Sequence, residues 1–286
     1  MTSSPELARR RRRRPKRHFG RWLILALIVV AAGAAWIGVR DLQRGYYTTH
    51  GATVVRFTVS SRFARRDLHE ILVVPAGGGK GRELLVFLHG RGSGAKSNLR
   101  QHLFDALHDL GTRAPNVLLA DGGDHSYWHD RSDGKWGTAM LREVIPAGIA
   151  RAHANPRRVA IGGISMGGFG ALDLARIAPK AFCAVGAHSA ALWFRGGDTP
   201  AGAYDDAEDF AHHDVIHFAA KQRLYGVPVW MDVGRDDPFK PADVALAHEL
   251  SAHGESVRLQ IHGGGHSGWS GRMGEYLRFY ARACHG

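Results

Sequence analysis

The chain has 286 residues, 44% of them hydrophobic, two cysteines and a formal net charge of +12 at pH 7. That length allows one large domain or two small ones, with a sizeable core. Nine basic side chains (Arg9 to Arg14, Lys16, Arg17 and Arg21) lie in residues 1–21 beside one acid, Glu6, which leaves the remaining body at only +4. A charge that mild excludes a strong nucleic-acid footprint.

Residues 22–39, WLILALIVVAAGAAWIGV, pass without a charge between Arg21 and Arg40. Eighteen apolar residues suffice to cross the hydrocarbon core as a helix. The arginine block before them keeps residues 1–21 in the cytoplasm as a basic tail and sends the body outside, as a single-pass protein of the cell membrane. A cleaved signal peptide is the alternative, with Gly33, Ala34 and Ala35 as small residues for the peptidase. Either way the body is exported, and residues 40–52 read as a short stalk. In that compartment Cys183 and Cys284 suit a disulfide, and equally a pair of unlinked buried thiols.

From residue 53 onward, apolar β-branched runs recur at 54–60, 70–75, 83–88, 116–121, 158–163, 182–188, 227–234 and 257–262. Segments with helical spacing separate most of them, at 96–110, 138–153, 168–178, 240–253 and 270–282. Such alternation predicts an α/β fold with a mostly parallel central sheet and helices on both faces. No helix separates the first two runs, which predicts an antiparallel hairpin at one edge. Residues 189–226 break the rhythm and read either as a lid insertion or as a plain surface excursion.

The stretch LLVFLHGRGSGAKS, residues 84–97, admits three chemistries. It approaches a P-loop, with Ala95 where the second glycine belongs. It matches a loose dinucleotide fingerprint at Gly90, Gly92 and Ala95. It also has the His-Gly-x form of an oxyanion loop after a strand.

The segment RVAIGGISMGGFGALDLA, residues 158–175, places Gly163-Ile164-Ser165-Met166-Gly167 between a strand and a small-residue helix. This is G-x-S-x-G in its strand–turn–helix setting, where the residues two before and two after the serine must lack bulk. The helix N-terminus behind Ser165 aims its free N–H groups at a developing oxyanion. A serine hydroxyl needs a base, and the base an orienting acid, here in the chain order nucleophile, acid, histidine. After the run 227–234 come Arg235-Asp236-Asp237-Pro238-Phe239, and Asp237 is the preferred acid, with Asp236 the alternative. Asp232 lies within the strand run. After the last strand, His266 follows three glycines and is the preferred base, whereas His262 sits at the strand end.

These motifs resemble the α/β-hydrolase superfamily over residues 53–286. Within it, the chain is similar to the esterase group that includes esterase D, feruloyl esterases and the antigen 85 mycolyltransferases. The likeness rests on FLHGRG, SYWHD with WGTAMLREVIP, GISMGGFGAL, GRDDPF and GGHSGW. It implies an α/β-hydrolase fold and an oxyanion hole made by the N–H groups of Arg91 and Met166. It also implies an acyl or alcohol pocket lined by Tyr127, Trp128 and Trp136, for which ordinary core packing is the competing reading. Arg91 departs from the apolar residue usual in the family, and its side chain is expected either to hold an anionic group on the substrate or to point into water.

Two histidine patterns suggest metal and are set aside. His248-Glu249 with His253 is one residue longer than H-E-x-x-H, and His213 with His217 lacks a carboxylate and a further ligand in sequence. No metal or cofactor is implied. The sequence thus predicts a membrane-anchored serine esterase acting on small-molecule, lipid or polysaccharide esters through Ser165, His266 and Asp237. An acyltransferase passing the acyl group to a sugar or lipid alcohol would carry the same residues. A non-catalytic binding protein on this scaffold is the alternative of another class.

Overall fold

A computed structural model of the chain describes residues 47–284. The basic tail, the expected membrane span and residues 40–46 of the stalk lie outside the described residues. Among the described residues, no helix is long and apolar enough to cross a membrane.

The apolar runs become eight strands of one sheet: β1 Thr53–Ser61, β2 Arg66–Val74, β3 Leu84–Leu88, β4 Asn116–Ala120, β5 Val159–Ile164, β6 Ala184–His188, β7 Val229–Gly234 and β8 Val257–His262. Their order across the sheet is β1-β2-β4-β3-β5-β6-β7-β8. As the missing helix foretold, β1 and β2 form an antiparallel edge hairpin, and β2 also runs antiparallel to β4. The pairs from β4 through β8 are parallel. Every residue of β3 to β7 is buried, because helices cover both faces of a parallel sheet.

Alternation along the strands divides the core in two. Val86, Leu88, Ile161, Val185 and Ala187 pack on one side with Phe169 and Leu172 of the helix α3, Met166–Ile177. On the other side lies α7, Met273–Ala283, which packs against α1, Gln101–Leu110. A Cβ on Gly162 or Gly186 would stand 1.8 Å from the Tyr280 hydroxyl, so these strand glycines make room for a tyrosine of α7. On the same side as α3, Trp136–Ala139, a π-turn at Met140–Val144 and Ile145–Ala152 form one continuous helical run, α2, whose Gly148 abuts Leu84 and Leu118.

Three local expectations need adjusting. The helix expected over 96–110 splits into a 3-10 turn, Ala95–Asn98, and α1, because Arg100 takes an extended conformation between them. The end of the expected stalk docks on α1: the Thr48 N–H donates to Gln101 Oε1 at 2.8 Å, and His50 Nε2 lies 2.8 Å from Asp105 Oδ1. The segment 189–226 carries a 3-10 turn and two short helices, α4 Ala207–His213 and α5 Val215–Ala219, capped by Asp206 and Asp214. Helix α6, Lys240–Ala252, joins β7 to β8. Cys183 and Cys284 form a disulfide across 101 residues of sequence, tying the end of α7 to the residue before β6.

Candidate active site

The parallel strands end together, and the loops beyond β3, β5, β7 and β8 converge there. At the end of β5 the chain turns sharply into α3. Ser165 occupies that turn at φ 56° and ψ −116°, a conformation strained for any residue with a side chain. The turn closes only without neighbouring bulk. A Cβ on Gly163 would stand 2.4 Å from the Gly167 carbonyl oxygen, and one on Gly167 would stand 2.3 Å from the Leu88 carbonyl oxygen.

His266 Nε2 lies 2.9 Å from Ser165 Oγ, and His266 Nδ1 lies 2.9 Å from Asp237 Oδ2. Asp237 is buried and is fixed by its own loop, since its Oδ1 accepts from the Phe239 N–H at 2.9 Å. The adjacent Asp236 is exposed and makes no part of this line. Backbone bonds join the Asp237 and His266 loops: the Arg235 N–H donates to the His262 carbonyl at 2.8 Å and the Asp236 N–H to the Gly264 carbonyl at 3.0 Å. Gly234 is needed for this closeness, because a Cβ there would come within 2.5 Å of the Gly264 and Gly265 carbonyl oxygens.

The other candidates from the sequence are committed elsewhere. Asp232 is buried within β7, 2.5 Å from His188 Nδ1, and accepts from the Tyr276 hydroxyl at 3.0 Å. Asp243, a buried carboxyl on α6 that the sequence did not single out, has its pKa raised well above the usual carboxylate range by desolvation and by the charges of Asp237 and Asp232. His262 is buried, with Nδ1 2.9 Å from the Gly263 carbonyl.

Around Ser165 the surface folds into a cleft of about 420 Å³. Gly90, Arg91 and Ser93 of the loop after β3 line one side, Arg100 and His102 the next, and Trp269 and Met273 the far side. Arg91 is exposed at the rim. Gly92 takes a left-handed φ of 68° and donates its N–H to the Asp124 carbonyl at 2.8 Å, which bends this loop over the strand ends. Met166 is the first residue of α3, so its N–H belongs to the free helix terminus beside Ser165.

Tyr127, Trp128 and Trp136 do not line this cleft. All three are core residues, at 2%, 0% and 3% exposure. The Trp128 ring fills the space that glycines leave at 122 and 170, and its Nε1–H donates to the His89 carbonyl at 3.3 Å. Two aromatic residues without an assigned role flank His266 instead: Phe239 and Trp269 have ring centroids 5.1 and 5.0 Å from its ring. Both stand in motifs read from the sequence, GRDDPF and GGHSGW, and only the folded loops bring them to one imidazole. His89, buried just after β3, accepts the Gly122 N–H through Nε2 at 3.3 Å.

Residues 77–267, spanning the loop after β3, the Ser165 turn and the His266 loop, match the family described as Putative esterase. The chain belongs to that family. Esterase Rv1288 of Mycobacterium tuberculosis is 26% identical over 182 residues, which cover 57% of this chain and 37% of the relative. The chain thus spans little more than a third of the length of the curated relatives it matches. Among solved structures, a ferulic acid esterase is similar with a TM-score of 0.69 at 20% identity, covering 81% of this chain and 98% of that one. An S-formylglutathione hydrolase from Agrobacterium tumefaciens gives 0.65 at 17% identity, covering 83% and 97%. MPT51 of Mycobacterium tuberculosis gives 0.64 at 18% identity, covering 81% and 99%. These likenesses bear out the α/β-hydrolase fold of this Putative esterase member.

Proposed function

We propose that the chain is an exported serine esterase, held at the membrane by residues 22–39, that hydrolyses carboxylic esters through an acyl-enzyme on Ser165. The observation that carries this reading is the line Asp237–His266–Ser165, with 2.9 Å at each step, opening on the cleft. Ser165 Oγ attacks the ester carbonyl while His266 Nε2 takes its proton. Asp237 holds His266 in the required tautomer and stabilises the imidazolium that forms. The N–H groups of Met166 and Arg91 receive the negative charge that develops on the carbonyl oxygen. His266 returns the proton to the leaving alcohol, and water releases the acyl group by the same steps.

The cleft carries Arg91, Arg100 and His102, and no Asp or Glu among its lining residues. Esters bearing negative charge are therefore the favoured substrates. Export is supported by the apolar run after the arginine block and by the Cys183–Cys284 bond, a kind that persists in oxidising compartments.

The test is turnover of p-nitrophenyl esters from acetyl to palmitoyl by the full chain beside Ser165→Ala. Turnover abolished by the substitution supports the reading, and the chain-length profile sizes the acyl site. With trehalose or glycerol added, acylated acceptor among the products would assign transfer to an alcohol in place of hydrolysis. A folded chain that turns over none of these esters would overturn the esterase reading in favour of binding alone.

A further inference from the structure

Away from the cleft, one group of side chains makes hydrogen bonds that leave it electrostatically incomplete. His129, in the segment after β4, and Asp209 and His213, both on α4, each offer one ligand atom, and these atoms lie within 4.8 Å of one another. His129 is fully buried, and the other two are largely so. His129 Nδ1 lies 3.3 Å from the Tyr127 carbonyl, which only accepts, so that nitrogen carries a proton. His213 Nδ1 lies 2.7 Å from Asp173 Oδ2, and Asp173 is held in turn by Arg176 at 2.6 Å. A carboxylate paired with a guanidinium also only accepts, so His213 Nδ1 is protonated too.

With both protons on Nδ1, both Nε2 atoms present lone pairs, and both face one carboxylate. His129 Nε2 is 3.2 Å from Asp209 Oδ2, and His213 Nε2 is 3.5 Å from Asp209 Oδ1. Lone pairs do not bond lone pairs. Such a set is completed by a cation between the three groups or by extra protons on the rings.

We propose that His129, Asp209 and His213 bind a divalent transition-metal ion of the zinc class. Nitrogen and oxygen ligands about 2.0–2.2 Å from a tetrahedral ion stand about 3.3–3.5 Å from each other. His129 Nε2 stands at that spacing from Asp209 Oδ2 (3.2 Å) and His213 Nε2 from Asp209 Oδ1 (3.5 Å), and one ligand atom from each of the three residues lies within 4.8 Å of the others, so a small closure of the set seats the ion. Two imidazoles with one carboxylate suit zinc, and a water completes the four. The outer partners have the form such sites take: a backbone carbonyl holds one ring, and an Arg-paired carboxylate holds the other. His217, the residue paired with His213 by sequence spacing, is exposed and stands outside the set.

The bound ion fastens three pieces of chain. It joins α4, within the segment 189–226, to the segment after β4, and through Asp173 it bears on α3, the helix that begins beside Ser165. Its role is structural, and its detection needs no substrate.

The experiment titrates cobalt(II), then zinc(II), into the full chain stripped with a chelator. The native chain is expected to take one cobalt ion with the intense visible bands of four-coordinate cobalt(II), and zinc is expected to displace it. Zinc at a hundredfold excess over its Kd is expected to raise Tm by roughly 5 °C. Asp209→Asn keeps the shape of the carboxylate, and His213→Asn removes one ring; each is expected to abolish the bands and weaken zinc by at least about tenfold. His248→Gln, at an exposed histidine, is expected to retain both signals. Only pale octahedral cobalt on the native chain, or intense bands unchanged in Asp209→Asn and His213→Asn, would overturn the proposal and assign the cluster to protons. Because the native chain is decisive by itself, a variant that fails to fold does not shield the proposal.

Discussion

His89 Nδ1 lies 2.9 Å from the Gly90 carbonyl oxygen and donates to it. The ring's Nε2 accepts from the Gly122 N–H, which fixes one tautomer, and burial lowers its pKa. In a trans peptide the carbonyl and the following N–H point in opposite directions. Holding the Gly90 oxygen therefore sets the direction of the Arg91 N–H, one of the two proposed oxyanion donors. His89→Phe is expected to lower kcat on p-nitrophenyl acetate by up to about 10²-fold, with KM little changed. Unaltered kcat in a folded variant would remove His89 from this positioning role.

Asp237 and Asp236 are neighbours in sequence with opposite exposures, and only Asp237 meets His266. Asp237→Asn leaves the side-chain shape and changes which proton His266 carries, so kcat is expected to fall about 10⁴-fold. Asp236→Asn is expected to stay within about threefold of the parent. Steady-state kinetics on both variants decide, and a reversed order would exchange the two residues.

In the proposed mechanism Arg91 serves twice, through a backbone N–H toward the oxyanion and through a side chain at the cleft rim. Arg91→Ala keeps the first and deletes the second. The ratio of kcat/KM for mono-p-nitrophenyl succinate to that for p-nitrophenyl acetate is expected to drop about tenfold, the worth of one charge-assisted hydrogen bond. Raising the salt concentration should shrink the parent's preference in the same direction. If the ratio is the same in parent and variant, the guanidinium plays no part in choosing substrates.

Glu70, buried in β2, accepts the Asp121 N–H at 2.9 Å through Oε2, and burial pushes its pKa from 4.5 up to about 8. Between those two values the unfolded chain has lost this proton and the folded chain still holds it. Stability from this group is therefore present below pH 4.5 and is lost as the pH rises toward about 8. Glu70→Gln, which keeps an acceptor for Asp121, should flatten that slope and stabilise the protein at pH 8. Urea midpoints at several pH values across the window measure the effect; parallel curves for parent and variant would exclude it.

The Cys183–Cys284 bond closes a loop of about a hundred residues. Replacing both cysteines by serine is expected to cost about 2–5 kcal/mol of unfolding free energy. Ser165, His266 and Asp237 all lie outside the bond itself, so the folded variant should keep its kcat at low temperature. Calorimetry with and without a reductant gives the same comparison on the unmodified chain.

Much of the site was legible because it is written locally. Gly163 and Gly167 around Ser165 announce a turn that nothing larger can enter, and the strand runs place that turn at one end of the sheet. The sequence preferred Asp237 and kept Asp236 as the alternative, since a single-residue shift in one turn decides which carboxylate faces inward. The aromatic residues were misplaced for a different reason. Tyr127, Trp128 and Trp136 are as suited to a core as to a pocket, and the space beside Gly122 and Gly170 that admits the Trp128 ring exists only in the fold. The grouping of His129 with His213 is likewise invisible in sequence, because 84 residues separate them and helix α4 alone brings the second to the first.

The loops after β7 and β8 are stitched together by backbone bonds and share the space left empty at Gly234. Acid and base therefore behave as one cartridge, mounted beside the serine but not bonded to its strand, since β6 stands between β5 and β7. If the cartridge shifts, Asp237 and His266 travel together and their mutual hydrogen bond survives. What changes is the reach from His266 to Ser165, so in the proposed mechanism a displacement of the last two strands throttles proton transfer without disassembling the pair assigned to it.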